Sequence, residues 1–115
     1  MAQGTLSDNQ DLDRTILMLE ELRKLDDDMP IQYALSFLYI SRYEGLSSRE
    51  LADHMGVSQA AASRQVAALA DHRRKGEGYK VVSDERDPHE LRRKILKLTS
   101  KGRRVVKTIV GIWQM

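Results

Sequence analysis

The chain has 115 residues, of which 31% are charged and only 5% aromatic, so its core is expected to be mostly aliphatic. It has no cysteine, which excludes disulfides, thiolate catalysis and cysteine-bound metal centres. No apolar run approaches the roughly 20 residues that span a bilayer, and the polar, acidic N-terminus is unlike a secretory signal. These features predict a single soluble, cytoplasmic domain with no membrane partner.

The formal net charge of +2 conceals an uneven distribution of charge along the chain. Residues 1–30 hold eight acidic and three basic side chains, whereas residues 71–104 hold twelve basic and six acidic ones. A basic segment in a nearly neutral protein is the usual electrostatic footprint of a polyanionic partner. A solvated charged surface is the alternative explanation, and charge alone does not separate the two.

An acidic run and a proline separate the first two predicted helices. The first is expected to begin at Ser7 or Asp8, either of which can cap it, and to run to about Leu25. Residues 26–30, DDDMP, end it because the residue before a proline is pushed out of the helical region. Pro30 suits the first turn of the second helix, IQYALSFLYISRY.

Two short helices joined by a tight turn are predicted in the stretch RELADHMGVSQAAASRQVAAL. Ser47 and Glu50 can form a capping box at the start of the third helix, and Gly56 ends it. Ser58 caps the fourth helix, which is expected to continue to residue 74. This order is that of a helix-turn-helix.

The fourth helix has an inward stripe of Ala62, Val66 and Leu69 at helical spacing. A helix that enters the major groove of DNA needs close approach, few negative charges and donors for base edges and phosphates. An alanine-rich helix that simply packs against a neighbour is the alternative interpretation. On the DNA-binding interpretation, the contacts come from Ser58, Gln59, Ala60, Ser63 and Arg64.

The pattern after the fourth helix changes to that of a β-hairpin. YKVVS and RRKILKL indicate strands on either side of a loop, DERDPHEL, and Thr99 caps a last helix. The sequence therefore predicts a mainly α fold: a winged helix-turn-helix with a small two-stranded β-wing and flanking N- and C-terminal helices. The basic side chains expected to contact phosphates are Arg73, Arg74 and Lys75 before the wing, and Arg86, Arg92 and Arg93 within it.

Residues 30–104 resemble the multiple-antibiotic-resistance regulator (MarR) family of winged-helix transcription factors. The matching pieces are SSRELADHMGVSQAAASRQVAAL, DERDPHELRRK and LKLTSKGR, which include the family's Leu51-Ala52 pair, Gly56-Val57-Ser58 turn and Ser63-Arg64 pair. The resemblance implies a homodimer that binds a pseudo-palindromic operator in double-stranded DNA. Each recognition helix would enter a major groove, and each wing would reach a flanking minor groove.

Four features depart from the family pattern. Gln65 stands where the family usually has an apolar residue, and Leu91 stands where the wing commonly carries an arginine. The link over residues 71–77 is longer and more basic than usual, and the chain ends before the family's longer C-terminal dimerisation region. Family members often bind a small-molecule effector between their dimer and DNA-binding regions, but no feature of this sequence supports one.

The first and last helices together offer more apolar surface than a compact winged helix can cover. We therefore divide the chain into an N-terminal dimerisation helix (1–29), a winged helix-turn-helix DNA-binding region (30–98) and a C-terminal dimerisation helix (99–115). The alternative is that the same apolar residues form the core of one monomer. The residues expected at the dimer interface are Leu12, Ile16, Leu19, Ile109, Ile112 and Trp113.

No pattern in the sequence supports catalysis, a bound metal or a cofactor. His54, His72 and His89 are scattered without metal-ligand spacing, and no glycine-rich phosphate loop or nucleophile elbow occurs. The predicted function is that of a dimeric, sequence-specific DNA-binding transcriptional regulator acting as a repressor. The alternatives are a nucleic-acid-binding accessory protein without sequence preference and a winged-helix protein-interaction module.

Overall fold

Five α-helices make up most of the chain. The structure, a computed structural model, describes residues 5–73 and 76–115. No helix in these two ranges is long and apolar enough to cross a membrane. The helices are α1 (Leu6–Arg23), α2 (Ile31–Arg42), α3 (Ser48–Met55), α4 (Gln59–Leu69) and α5 (Ser100–Trp113).

Side-chain caps start four of these helices, because a hydroxyl oxygen can accept a hydrogen bond from a free N–H of the first turn. The predicted caps Ser47, Ser58 and Thr99 are confirmed, and Ser47 forms the predicted capping box with Glu50. The predicted cap of the first helix was wrong. Thr5 caps α1 instead, in a capping box with Asp8.

Two antiparallel β-ladders lie between α4 and α5. The wing pairs β3 (Val82–Arg86) with β4 (Lys94–Leu98), so that Val82 lies opposite Leu98 and Arg86 opposite Lys94. The winged-helix architecture predicted from the sequence is thus confirmed. A second, very short ladder was not predicted; it pairs β1 (His72–Arg73) with β2 (Gly76–Glu77).

The fourth helix is shorter than predicted, ending at Leu69 rather than at residue 74. The segment that follows β2 donates hydrogen bonds to the last carbonyl groups of the helix. The N–H of Tyr79 donates to the carbonyl oxygen of Ala68 at 2.9 Å, and that of Val81 donates to Leu69 at 2.9 Å. These long-range hydrogen bonds end the helix although residues 70–74, ADHRR, have no helix-breaking residue.

The wing strands also begin and end differently from the prediction. Residues 84–86 were expected in the loop, but they belong to β3 because they pair with β4. β3 begins only at Val82, since residues 79–81 pair with the end of α4 instead. The α2–α3 connection holds the other side of β4: the N–H of Leu96 donates to the carbonyl oxygen of Leu46 at 2.8 Å.

The core lies where α2, α3 and α4 meet the inner side of the wing, and it is mostly aliphatic, as expected. Gly102 lets α5 approach this core closely, because a Cβ at that position would lie 2.1 Å from the carbonyl oxygen of Val81. The largest fully buried side chains include Phe37, Ile40, Leu51, Leu69, Val81 and Leu96.

Candidate nucleic-acid interface

The helix-turn-helix places α4 with one face buried and one face open to solvent. Gly56 adopts the left-handed conformation, with φ of 66°, which turns the chain sharply between α3 and α4. Ala62, Val66 and Leu69 are buried, as the stripe predicted. The exposed face carries Gln59, Ala60, Ser63, Arg64 and Ala67.

The exposed face of α4 contains no acidic residue, and Arg64 is its one charged side chain. Ser58 is exposed at the start of the helix, where its hydroxyl accepts a hydrogen bond from the N–H of Ala61 at 3.1 Å. The N-terminal end of a helix carries a partial positive charge, which favours a nearby anion. Small side chains, short donors and one arginine are therefore presented together on a rigid element.

A cleft of about 280 Å³ separates α4 from the base of the wing. Ser63 and Ala67 line it from α4, and Asp84 lines it from β3. Asp71 and His72, which follow α4, complete one wall. The acidic groups in the cleft mean that the wing does not act as a uniformly positive clamp beside the helix.

The three wing arginines have different surroundings. Arg93 forms an ion pair with Glu50 at the start of α3, and its guanidinium lies 3.8 Å from the carboxylate of Asp87. Arg86 donates a hydrogen bond to the carbonyl oxygen of Leu91 at 2.7 Å, within the wing loop. Arg92 is exposed, and no ion pair in the described ranges involves it. Arg93 therefore ties the wing to the helix-turn-helix, whereas Arg92 faces solvent.

The Glu50 carboxylate holds two structural elements at once. It accepts the N–H of Ser47 in the capping box at 3.1 Å and also pairs with Arg93. The hydrogen bond from the Ser47 backbone is the main cause that lowers the pKa of Glu50 below its usual value, and the Arg93 charge makes a smaller contribution. The position of the wing is thus coupled to the start of α3.

Arg73, predicted to contact phosphate, lies in a partly buried network instead of projecting from the surface. Its guanidinium is 2.8 Å from the carboxylate of Asp26, and its Nε donates to the carbonyl oxygen of Glu77 at 2.8 Å. The same guanidinium stacks over the ring of Tyr79, 4.8 Å from the ring centroid. Arg74 and Lys75, also predicted to contact phosphate, lie outside the described residues.

Asp26 and Tyr79 complete this network, which sequence reasoning missed. The Tyr79 hydroxyl donates to the Asp26 carboxylate at 2.6 Å, joining the α1–α2 connection to the segment that leads into the wing. This hydrogen bond is the main cause that lowers the pKa of Asp26. Burial, followed by the Asp26 hydrogen bond, raises the pKa of Tyr79 to about 12.

Replacing Tyr79 by phenylalanine is expected to lower the free energy of unfolding by about 1.5 kcal/mol at pH 7, since it removes a hydrogen bond to a charged group. The pKa of Asp26 is lower in the folded state than in the unfolded state, where it is about 3.9. The ionised carboxylate therefore stabilises the fold above that pH, and the stabilisation is lost as the pH falls through the folded-state pKa. The difference in free energy of unfolding between wild type and variant should therefore be constant at neutral pH and should narrow as the pH falls below about 4. Urea denaturation followed by circular dichroism tests this, and a constant difference would contradict the assignment.

The terminal helices pack against each other but leave an apolar stripe on α1 uncovered. Ile109 and Ile112 are buried within the chain, because they lie on the side of α5 that packs against other elements of the same protomer. The other four residues predicted at the dimer interface remain open to solvent, with exposures of 58% for Leu12, 55% for Ile16, 48% for Leu19 and 45% for Trp113.

The histidines are placed apart from one another. His54 stacks on Tyr43, with ring centroids 4.6 Å apart, and on Tyr39 at 5.4 Å, which joins α3 to α2. His72 lies at the cleft, and His89 lies in the wing loop. In residues 5–73 and 76–115, no group of histidine and acidic side chains is arranged to hold a metal ion.

Comparison of the sequence with models of protein families and with curated proteins found no match. Comparison of the structure with solved structures found many similar chains. A MarR-like transcriptional regulator from Thermotoga maritima matches with a TM-score of 0.67 and 19% identity, covering 98% of this chain and 77% of that one. Rv1404 from Mycobacterium tuberculosis matches with a TM-score of 0.66 and 20% identity, covering 97% and 76% of the two chains.

A structure of MepR from S. aureus in complex with DNA is similar to the same degree. Its TM-score is 0.66 at 16% identity, and the match covers 95% of this chain and 80% of that one. The likeness extends over the terminal helices as well as the helix-turn-helix and wing, since nearly the whole chain is covered. The chain therefore has the winged-helix fold of the MarR-like transcriptional regulators.

Proposed function

We propose that this protein is a DNA-binding transcriptional regulator that reads a specific site with α4 and acts as a dimer. The observation that carries the proposal is the solvent-exposed face of α4. It is free of acidic residues and presents Gln59, Ser63 and Arg64 beside a β-wing. Such a face allows close approach to base edges, which is the requirement for reading the major groove.

In this proposal, the contacts of each arginine decide whether it binds DNA or holds the fold together. Arg64 and Arg92 project into solvent and are available for DNA, whereas Arg73 and Arg93 are held by Asp26 and Glu50. Phosphate contacts then come from few residues per protomer, with Arg74 and Lys75 as further candidates from the sequence. Because each neutralised phosphate adds about 0.9 to the slope of log affinity against log salt, we expect a moderate salt dependence.

The apolar stripe of α1 supports the proposed dimer. Leu12, Ile16 and Leu19 lie on one side of the helix and stay half-exposed. Trp113 of α5, the helix that packs against α1, is also exposed. Exposed apolar patches of this kind mark interaction sites. A two-fold dimer through α1 and α5 would place two recognition helices about 34 Å apart, one turn of DNA, and so would fit a pseudo-palindromic operator. MepR, which has a similar fold, is known in complex with DNA.

Selection of bound duplexes from a randomised DNA pool tests the proposal directly. The enriched duplex is then titrated by fluorescence anisotropy against random DNA over a series of salt concentrations. Enrichment of a palindrome, bound well above random DNA, is the expected result. Salt-dependent binding without enrichment would instead indicate an accessory protein without sequence preference, and no binding at low salt would indicate a protein-interaction module.

Repression is the direction of regulation that we propose. A dimer that occupies a promoter-proximal operator blocks access of the polymerase to the same DNA. Transcription in vitro from a promoter that overlaps the selected site should fall as the protein is added. A promoter with a scrambled site is the control, and an increase in transcript from the intact site would contradict repression.

A further inference from the structure

One hydrogen bond crosses the core between α2 and the recognition helix. The hydroxyl of Ser36 on α2 donates to the side-chain carbonyl oxygen of Gln65 on α4 at 2.6 Å. Ser36 is completely buried, and Gln65 is 6% exposed. Setting Tyr79 aside, they are the two buried polar side chains in the described ranges, and they pair with each other.

Backbone hydrogen bonds from Tyr79 and Val81 hold the C-terminal end of α4, but the other side chains of its buried face are apolar. Ala62 and Ala68 are fully buried but carry only a methyl group each, so they form a smooth contact with the neighbouring helices. Val66 and Leu69 contribute non-directional apolar contacts. A hydrogen bond between buried groups is directional and is lost when its partners move apart. The Ser36–Gln65 pair is therefore a directional side-chain contact that restrains the rotation of α4 from its buried face.

The rotation of α4 decides where its base-contacting side chains point. Gln65 directly follows Ser63 and Arg64, which lie on the exposed face. An α-helix with its side chains is about 10–12 Å across, so a rotation of about 20° moves the outer atoms by about 2 Å. Hydrogen bonds to a base have lengths of about 2.7–3.2 Å, a range only about 0.5 Å wide. A shift of about 2 Å would therefore break them.

We propose that Ser36 and Gln65 are positioning residues that set the rotation of the recognition helix and thereby its discrimination between DNA sequences. The proposal rests on the proposed function, since it concerns how α4 reads DNA. Neither side chain touches DNA; both act through the orientation of Ser63 and Arg64. The polar residue at position 65 is one of the departures from the MarR pattern, and this role gives a physical reason for it.

The test uses the full chain with Ser36→Ala, Gln65→Leu and the double variant. Each single variant leaves a buried polar group without its partner and should be less stable than the wild type. The double variant removes both polar groups and should regain most of the wild-type stability, because apolar residues of similar volume can replace a buried polar pair. The double variant thus separates stability from the positioning role.

Fluorescence anisotropy then gives the ratio of affinities for the selected duplex and for random DNA. In the double variant this ratio should fall roughly tenfold, as expected for misplaced base contacts, while the affinity for random DNA stays unchanged. Ser41→Ala is the matched control, because the Ser41 hydroxyl lies on the same helix as Ser36 but bonds within that helix, to the carbonyl oxygen of Phe37 at 2.7 Å. Its affinity ratio should equal that of the wild type.

A double variant that is stable and keeps the wild-type ratio would overturn the positioning role and leave the proposed function intact. A wild-type protein that prefers no sequence would overturn both. An amide ¹H–¹⁵N spectrum of the free protein adds a readout independent of DNA. We expect shifted or broadened signals along the whole of Gln59–Leu69 in the double variant, and changes confined to the mutated sites would also overturn the proposal.

Discussion

Replacing Arg64 by alanine is expected to reduce affinity for the selected operator about 10- to 100-fold and to leave affinity for random DNA nearly unchanged. Arg64 is the one charged side chain on the exposed face of α4, and it lies one residue after Ser63 at the wall of the cleft. A well-placed base contact of an arginine contributes about 1–3 kcal/mol of discrimination, which corresponds to this loss. Anisotropy titrations of both duplexes measure it.

Two further arginine variants serve as controls for this prediction. Arg92→Ala removes an exposed guanidinium from the wing and should weaken binding to both duplexes alike, lowering the salt slope by about 1. Arg104→Ala removes the same charge from the exposed side of α5 and should change neither affinity. Equal losses on operator and random DNA for Arg64→Ala would show that α4 contacts only the backbone of DNA.

Features that depend on neighbouring residues could be predicted from the sequence. Ser47 and Glu50 satisfy each other across a single helical turn, and Gly56 supplies a conformation that other residues disfavour. The caps at Ser58 and Thr99 follow the same local chemistry. Because these signals mark the starts of α3, α4 and α5 and the end of α3, the helix-turn-helix and its exposed face could be placed from the sequence alone.

The wrong element boundaries and the contacts that were not predicted lie where segments apart in the sequence meet. The sequence after Leu69 is compatible with helix, but Tyr79 and Val81 capture the carbonyl groups at the end of α4. Arg73 stands in a basic run and is predicted from the sequence to contact phosphate, and its ion-pair partner, Asp26, lies 47 residues earlier. No feature of the sequence around Asp26 or around Arg73 indicates the other residue, so hydropathy and charge patterns could not identify this ion pair.

Gln65 could be identified from the sequence as unusual, but its hydrogen-bond partner could not. Its polarity stood out against the apolar residue that the MarR pattern has there, which marked the position as unusual. Its explanation required Ser36, on another helix and 29 residues away. Arg73 and Arg93 are similar in this respect, because each forms an ion pair with a residue on another element. In all three cases a polar side chain holds together the elements that carry the proposed DNA-contacting face.

Replacing Ile16 by glutamate is expected to convert a dimer into a monomer and to reduce affinity for the full operator at least about 100-fold, because half of the base contacts are lost with one recognition helix. Ile16 lies at the centre of the exposed stripe of α1 and is 55% exposed, so its replacement should leave the fold of the chain unchanged. Sedimentation velocity gives the mass in solution, and anisotropy gives the affinity.

Gln10→Glu is the matched control for the dimer prediction. It adds the same negative charge to α1, but at about 100° per residue it lies on the opposite side of the helix from Leu12, Ile16 and Leu19. It should therefore remain dimeric and bind the operator as the wild type does. A monomeric Ile16→Glu protein that keeps full affinity for the palindrome would show that each recognition helix binds independently. In that case the coupling between dimerisation and operator binding fails. An Ile16→Glu protein that stays dimeric would show instead that the apolar stripe serves another contact.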